Sequence, residues 1–479
     1  MFESLTDAEV IDTITGRARA SAIADAERYS AIAELQRRRC TGDDERRFWA
    51  CDDWDGAAAE LSAALNIGHG RASGEMDLAV ALRDRLPRVG ALFHAGVLNG
   101  RRVWLIEQRT AHVTDPETLA ALDEVIADRI LGWGPLSEYK LTMTLDAEVE
   151  KLDPAAVRRV QQQMRARDFV VGTDHESGTT AVWGRLSCTD AALTRTRVDT
   201  MVRSVCADDP RTLKQRRADA VGAVMAGSQV LSCQCGNPAC PAVVDDGRAS
   251  SVVVHVITDQ ASVEAADADP ALHGPRDADE DAQAERSRRR PVAVIPGHGV
   301  VPGPLLAELI ARGARITPVL APTGGAEPRY RPSTALDRFV RVRDLTCRAP
   351  GCDRPAEFAD IDHTVPYPAG ATHAGGVKCY CRKHHLVKTF HAGWSDRQLA
   401  DGTVVVTTPT GHTYTTTPGI ALLFPTWNVT TPAPPSSPVE PGAHRSIMMP
   451  RRKRTRAQAK ADRIKAERAL NERADPPPF

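Results

Sequence analysis

The sequence lacks any uninterrupted apolar run near the roughly 18 to 20 residues that a membrane helix needs. A helical membrane span is therefore not expected. The opening residues, MFESLTDAEV, are acidic and have neither the basic nor the apolar region of a signal peptide, so a cytoplasmic location is the expectation. Aromatic residues make up only 5% of the chain, which leaves Ala, Val and Leu to build the core. Net charge is lacking as well, because 61 Lys and Arg face 62 Asp and Glu. Opposite runs can cancel in such a total, so charge must be read along the chain. We find no repeat of fixed period and no phosphate-cradling glycine motif, and Gly297-His298-Gly299 reads as a turn. Hydrophobic residues at 42% and charged residues at 26% exclude collagen-like, coiled-coil and wholly disordered chains. A length of 479 residues, at about 150 per domain, gives roughly two to four domains.

Residues 1–165 read as successive helices. Thr6 with Glu9, and Thr114 with Glu117, have capping-box spacing. Asp153-Pro154 and Asp209-Pro210 read as further helix starts. Residues 166–262 form a mixed region, with a hairpin from Phe169–Gly172 and Thr180–Leu186, and a buried strand at Ser251–Thr258. Residues 263–290 are acidic, without apolar periodicity, and read as a disordered linker. A strand-turn-helix unit spans 291–332, its helix Leu305–Arg312 closed by Gly313. Residues 425–479 form a Pro-rich linker and a basic tail, in which Arg451 to Arg473 carry ten basic residues against three acids. That tail either adds phosphate contacts to nucleic acid or is a flexible solubilising arm.

Eleven cysteines in a cytosolic chain are not expected to pair as disulfides. Seven of them fall into two groups, Cys233, Cys235, Cys240 and Cys347, Cys352, Cys379, Cys381. The others, Cys40, Cys51, Cys188 and Cys206, read as small buried hydrophobes. Cys347 and Cys352 are separated by four residues, and about thirty residues later Cys381 and His384 are separated by two. Two close ligand pairs joined by a longer connection suit a tetrahedral structural zinc. Cys379 is a spare thiol in this scheme that could replace Cys381, and only one of the two should ligate. Between the pairs lies Asp360-Ile361-Asp362-His363, then Pro366 and a glycine-containing loop, and the second pair runs into His385 and Lys388.

This order, Cys-x4-Cys, Asp-His-x-x-Pro, Gly loop, Cys-x-x-His-His-x-x-Lys, resembles the HNH, or ββα-metal, endonuclease module with an embedded zinc, over residues 333–424. The resemblance implies that His363 is the general base and that Asp362 and His385 hold one divalent ion, Mg²⁺, Mn²⁺, Ni²⁺ or Zn²⁺. An imidazole with a pKa near 6.5 would suit that task around neutral pH. Lys388, Arg338 and Arg341 are candidate nucleic-acid contacts. One departure stands out: Gly375-Gly376-Val377 occupies the stretch where the family has an asparagine thought to brace the base. Downstream, Asp401-Gly402 between two β-rich runs predicts a hairpin.

The rest of the chain resembles actinobacterial proteins with a long Ala/Arg-rich helical domain of unknown function ahead of an HNH module, several encoded in repeated elements. That likeness rests on Arg216-Arg217-Ala218-Asp219-Ala220, the Cys233-Gln234-Cys235-Gly236 segment and Val252-Val253-Val254-His255. Cys233, Cys235 and Cys240 are either a second metal site, with His255 as a possible fourth ligand, or buried thiols in a tight turn. The expected fold class is α+β: a mainly helical N-terminal region, a small mixed middle and a zinc-stabilised ββα-metal module. The expected activity is hydrolysis of DNA phosphodiesters. The alternatives are a catalytically degenerate DNA-binding protein of a mobile element, or a protein-interaction scaffold with partners the sequence does not identify.

Overall fold

At Thr6 the chain acquires its first helix through a reciprocal cap: the hydroxyl accepts from Glu9 N–H at 3.3 Å, and the Glu9 carboxylate accepts from Thr6 N–H at 2.8 Å. The computed structural model describes residues 2–41, 45–157, 168–172, 180–246, 256–266, 293–296, 299–311, 313–322, 325–435 and 448–474. Helix α1 (Asp7–Arg39) is followed by α2 (Asp53–Leu65), α3 (His69–Asp84), α4 (Pro87–His94), α5 (Gly100–Thr110), α6 (Pro116–Arg129) and α7 (Glu138–Leu152). Side chains of Asp52, Asn99, Asp115 and Ser137 cap four of these starts. The predicted Thr114–Glu117 box is replaced by Asp115 with Pro116 at the first helical position. An aspartate accepts from Thr118 N–H without needing the reciprocal bond.

The scarcity of aromatics shows in the core. Leu78, Leu82, Leu86, Val89, Val103, Ile106, Leu122, Ile126 and Leu145 fill one cluster around Phe93. A second cluster sets Ala57, Ala58 and Leu61 of α2 against Ile32 and Ala33 of α1 and Ala72 and Met76 of α3. Alanines at these crossings let the helices approach closely.

At two predicted helix starts the aspartate carboxylate pairs with an arginine instead of capping, Asp153 with Arg468 and Asp209 with Arg211. Asp153-Pro154 opens only a single 3₁₀ turn, with no side-chain cap. Asp209 spends its carboxylate on Arg211 instead, so the next helix waits for a Thr212–Gln215 capping box. The middle region holds the predicted hairpin, β1 (Asp168–Val171) paired with β2 (Val182–Arg185), then α8 (Cys188–Arg203) and α9 (Leu213–Met225). Of the predicted strand at 251–258, Ile257–Thr258 forms β3, and 251–255, with His255, lie outside the described residues. So do 267–292, which contain most of the predicted linker, as well as His298. After the short helix α10 (Gln260–Glu264), strands β4 (Ala293–Ile295) and β5 (Gly299–Val301) complete an antiparallel sheet in the order β3-β4-β5. Helix α11 (Gly303–Ala311) ends at Gly313, whose φ of 86° supplies the left-handed turn.

The C-terminal region starts with α12 (Thr334–Asp344), capped by Ser333. Strands β6 (Ala359–His363) and β7 (Val377–Cys381) pair antiparallel, with Ala359 opposite Cys381 and His363 opposite Val377. Helix α13 (Arg382–Phe390) follows β7 without a gap. The Asp401-Gly402 hairpin forms as predicted: β8 (Ser395–Gln398), β9 (Val404–Thr407) and β10 (Thr413–Thr416) make a meander, and Gly402 has φ 78°. A short α14 (Gly419–Leu423) and the tail helix α15 (Arg456–Ala474) complete the described chain.

The basic tail is not a free arm. Arg456 bridges Asp52 and Asp55, Lys460 meets Asp77, and Arg468 meets Asp153, so α15 lies across the N-terminal helices. No described helix is long and apolar enough to cross a membrane. The architecture is mixed α and β, largely helical with small sheets.

Candidate functional site

Helix α13 carries the chemistry of the C-terminal region because it leaves a strand abruptly. Cys381 ends β7 and is also the N-cap of α13, so its sulfur sits at the positive end of a helix dipole. One helical turn brings His384 back over it, with Nδ1 3.3 Å from Cys381 Sγ and 3.5 Å from Cys347 Sγ. Cys347 and Cys352 arrive from the loop after α12. That loop turns at Gly351, with φ 73°. A Cβ at Gly351 would lie 2.7 Å from Ile67 O, so glycine also permits the close approach of the α2–α3 connection. The ligand atoms of Cys347, Cys352, Cys381 and His384 all lie within 4.8 Å of one another, a set that could hold a metal ion. Hydrogen bonds from Cys347 and Cys352 pull the Cys381 thiol far below its ordinary pKa, whereas burial pushes Cys347 up. Cys379 faces the other way, fully buried, toward Val340 O.

The same hairpin-helix junction gathers a second constellation. Asp360 and Asp362, two apart on β6, share a strand face and meet α13. His385 Nδ1 is 2.8 Å from Asp360 Oδ2, and His385 Nε2 is 3.4 Å from Asp362 Oδ1. With Nδ1 against Asp360, Nε2 is the ring nitrogen that faces Asp362. Asp360 was not among the residues singled out from the sequence. Its signal was the period-two spacing from Asp362.

Lys388 does not face solvent as a phosphate contact would. It is 2.6 Å from Asp362 Oδ2, donates to His363 O at 2.6 Å, and lies 3.3 Å from Asp396. Buried Lys378 adds bonds of 2.9 Å to Asp362 and 3.0 Å to Asp396. Burial alone would raise the Asp362 pKa, but Lys378, Lys388 and His385 hold it at about 2. Arg341 is likewise internal: it pairs with Asp337 and donates to the Ala356 and Ala359 carbonyls, fixing the start of β6. Arg338 is exposed on α12.

His363, next along β6, points away from Asp362 as strand alternation requires. Its Nε2 is 2.8 Å from Thr372 Oγ1, and its ring stacks on Tyr330 with centroids 5.3 Å apart. Thr372 has one hydroxyl proton and directs it to Arg329 O at 2.5 Å. Oγ1 therefore accepts from His363 Nε2–H, and Nδ1 carries the lone pair. Burial lowers the His363 pKa to about 4, well under the value expected from sequence. The ring is neutral at physiological pH.

The N-terminal helices reach this junction. Asp55 lies 3.1 Å from Lys383 and 2.7 Å from Arg452, and His69 meets the His384 ring edge-on at 5.6 Å. In the middle region, Cys233, Cys235 and Cys240 are joined by Cys206, their ligand atoms within 4.8 Å, a second set that could hold a metal ion. Cys206 is thus not the isolated buried thiol expected of it. It lies 27 residues before Cys233, too far for spacing to reveal.

Comparison with known proteins matches residues 16–344 to the model of a family described as "Domain of unknown function (DUF222)". The uncharacterized proteins Rv3776 and Rv2100 of Mycobacterium tuberculosis are 51% and 50% identical to this chain. The matches cover 98% and 99% of it and 92% and 90% of their own lengths. No solved structure matches.

Proposed function

The chain belongs to the DUF222 family, and we propose that this member is a metal-dependent endonuclease that hydrolyses DNA phosphodiesters through an HNH-type module at residues 333–424. The observation that carries the reading is the Asp360–His385–Asp362 arrangement. Two metal bonds of about 2.1 Å meeting near the tetrahedral angle span about 3.4 Å, which matches the gap between His385 Nε2 and Asp362 Oδ1. Asp360 orients the imidazole as outer carboxylates orient metal-binding histidines. When bound there, a divalent ion such as Mg²⁺, Mn²⁺, Ni²⁺ or Zn²⁺ supplies positive charge for the scissile phosphate and its leaving oxygen.

The chain's own residues do the rest. His363 Nδ1 is the acceptor for the proton of the attacking water, and Thr372 holds the ring in the tautomer that makes it so. Lys388 and Lys378 fix the Asp362 carboxylate and keep it ionised. The Cys347, Cys352, Cys381 and His384 set, filled by zinc, fastens the start of α13, from which His385 projects. Exposed Arg338 remains the candidate phosphate contact among the three cations singled out from the sequence.

A second reading, a DNA-binding protein of a mobile element that no longer cleaves, is motivated by Gly375-Gly376-Val377. A Cβ on Gly375 would lie 2.5 Å from Pro432 O, so no side chain fits there. Thr372 supplies a brace for His363 in a different way, and this favours the active reading. The test is nicking of supercoiled plasmid with Mg²⁺ or Mn²⁺ and with EDTA, for the wild type, His363→Ala and His385→Ala. Metal-dependent nicking absent from both variants supports the nuclease. DNA shifted on a gel but uncut under every ion supports the second reading.

A further inference from the structure

The geometry points to a second structural zinc site, independent of the nuclease module, formed by Cys206, Cys233, Cys235 and Cys240. Cys206 follows α8, and the other three lie in the loop after α9. Folding α8 back on α9 brings these two segments together. Cys206 Sγ and Cys233 Sγ are 3.4 Å apart, and all four sulfurs lie within 4.8 Å. In a zinc tetrathiolate with bonds of about 2.3 Å, the sulfurs sit about 3.8 Å from one another. Cysteines serving only as buried hydrophobes have no reason to converge in this way. The set contains no carboxylate, which selects a soft-tolerant ion over Mg²⁺ or Ca²⁺.

The loop is built around the sulfurs. Gly236 adopts φ 73°, Cys240 N–H donates to Asn237 O at 3.0 Å, and Cys233 N–H donates to Ala242 O at 2.8 Å. A buried ion pair anchors it beside the cluster. Asp209 accepts from Arg211 Nε and Nη2 at 3.0 and 2.7 Å and from Gln234 N–H at 3.0 Å, while Arg211 Nη2 donates to Ser232 O at 2.7 Å. The same groups tie the turn between α8 and α9 to the residues on either side of Cys233.

The need for a metal follows from size. The local core consists of Val198, Met201, Val202, Val205, Ala220, Ala223, Leu231 and Cys233. So few aliphatic side chains supply little net stability, the situation in which small units rely on a metal. Four protein ligands close the coordination shell, so the ion is structural and leaves no position for substrate.

The experiment counts metal in the full-length chain, purified under reducing conditions, loaded with Zn²⁺ and then dialysed against excess Mg²⁺, so that zinc at the Asp362–His385 site of the proposed nuclease is displaced and is not counted. The expected result is two zinc ions per chain by elemental analysis, falling to one in Cys206→Ser and to one in Cys347→Ser. Cobalt substitution distinguishes the sites, since Cys206→Ser should abolish the four-thiolate spectrum and leave that of the three-thiolate, one-imidazole site. Should Cys206→Ser fail to fold, X-ray absorption of the wild type replaces it: about seven sulfurs and one nitrogen shared between two zinc ions are expected. One zinc per chain that Cys347→Ser removes would overturn the inference. So would a Cys206–Cys233 disulfide in metal-free protein with undiminished hydrogen-exchange protection across residues 187–246.

Discussion

Replacing Thr372 with Val removes one hydroxyl from a fully buried position and nothing else of comparable size. Two bonds disappear: the one from His363 Nε2–H at 2.8 Å and the one to Arg329 O at 2.5 Å. A buried donor left without an acceptor costs about 1 to 3 kcal/mol. The ring can escape that cost by moving its proton to Nδ1, which destroys the lone pair needed to accept a proton from water. At 1.36 kcal/mol per tenfold, single-turnover plasmid nicking should slow by about 5- to 150-fold, and Thr372→Ser should recover most of the rate. A readout independent of cleavage is the ¹⁵N spectrum of histidine-labelled protein. His363 should appear as the Nε2–H tautomer in the wild type and as a mixture in Thr372→Val. Its titration should fall near pH 4, so above about pH 5 the nicking rate should show no break from this group. Because the folded pKa lies below the unfolded value near 6.5, the neutral ring's contribution to stability is full above that value and is lost as pH falls toward 4. An Nδ1–H tautomer in the wild type, or an unchanged rate and spectrum in Thr372→Val, would refute the assignment.

Asp344 is fully buried between Arg343 and Arg348, at 2.8 and 3.0 Å, and accepts from Cys379 N–H. Asp344→Ala strands two buried guanidiniums and should destabilise the C-terminal region by about 3 to 5 kcal/mol. Urea unfolding followed by Trp427, which packs edge-on against Phe339, measures this; a shift under 1 kcal/mol would contradict it. Asp55 joins the N-terminal helices to Lys383, Arg452 and Arg456. Burial would raise its pKa, but His69 and these cations hold it well below the usual carboxylate range. Its contribution is therefore present above about pH 4 and lost on further acidification, and Asp55→Asn should show raised exchange at α13 already at neutral pH. Deleting residues 451–479 should lower thermal stability yet change the salt slope of DNA binding by less than about one unit, since much of the tail's charge is paired internally. A large drop in slope would restore the tail as a phosphate-binding arm.

Local signals in the sequence determined local outcomes. The Thr6–Glu9 box, the Gly313 cap, the Asp401-Gly402 turn and the Cys347, Cys352, Cys381, His384 grouping each depend on residues a few positions apart, or on one hairpin joining two such groups. Backbone geometry fixes those relations whatever surrounds them. The same reading missed Asp115, Thr212 and the internal use of Asp209, because several side chains could cap and only neighbouring packing selected among them. It could not give Cys206 its partners, Lys388 its burial against Asp362, or α15 its seat on the N-terminal helices. Each of these depends on groups brought together by chain reversal over 26 to about 400 residues. An isolated lysine or cysteine carries no mark of which charge or thiol will meet it, and its role is set by desolvation and by the partners that tertiary folding delivers.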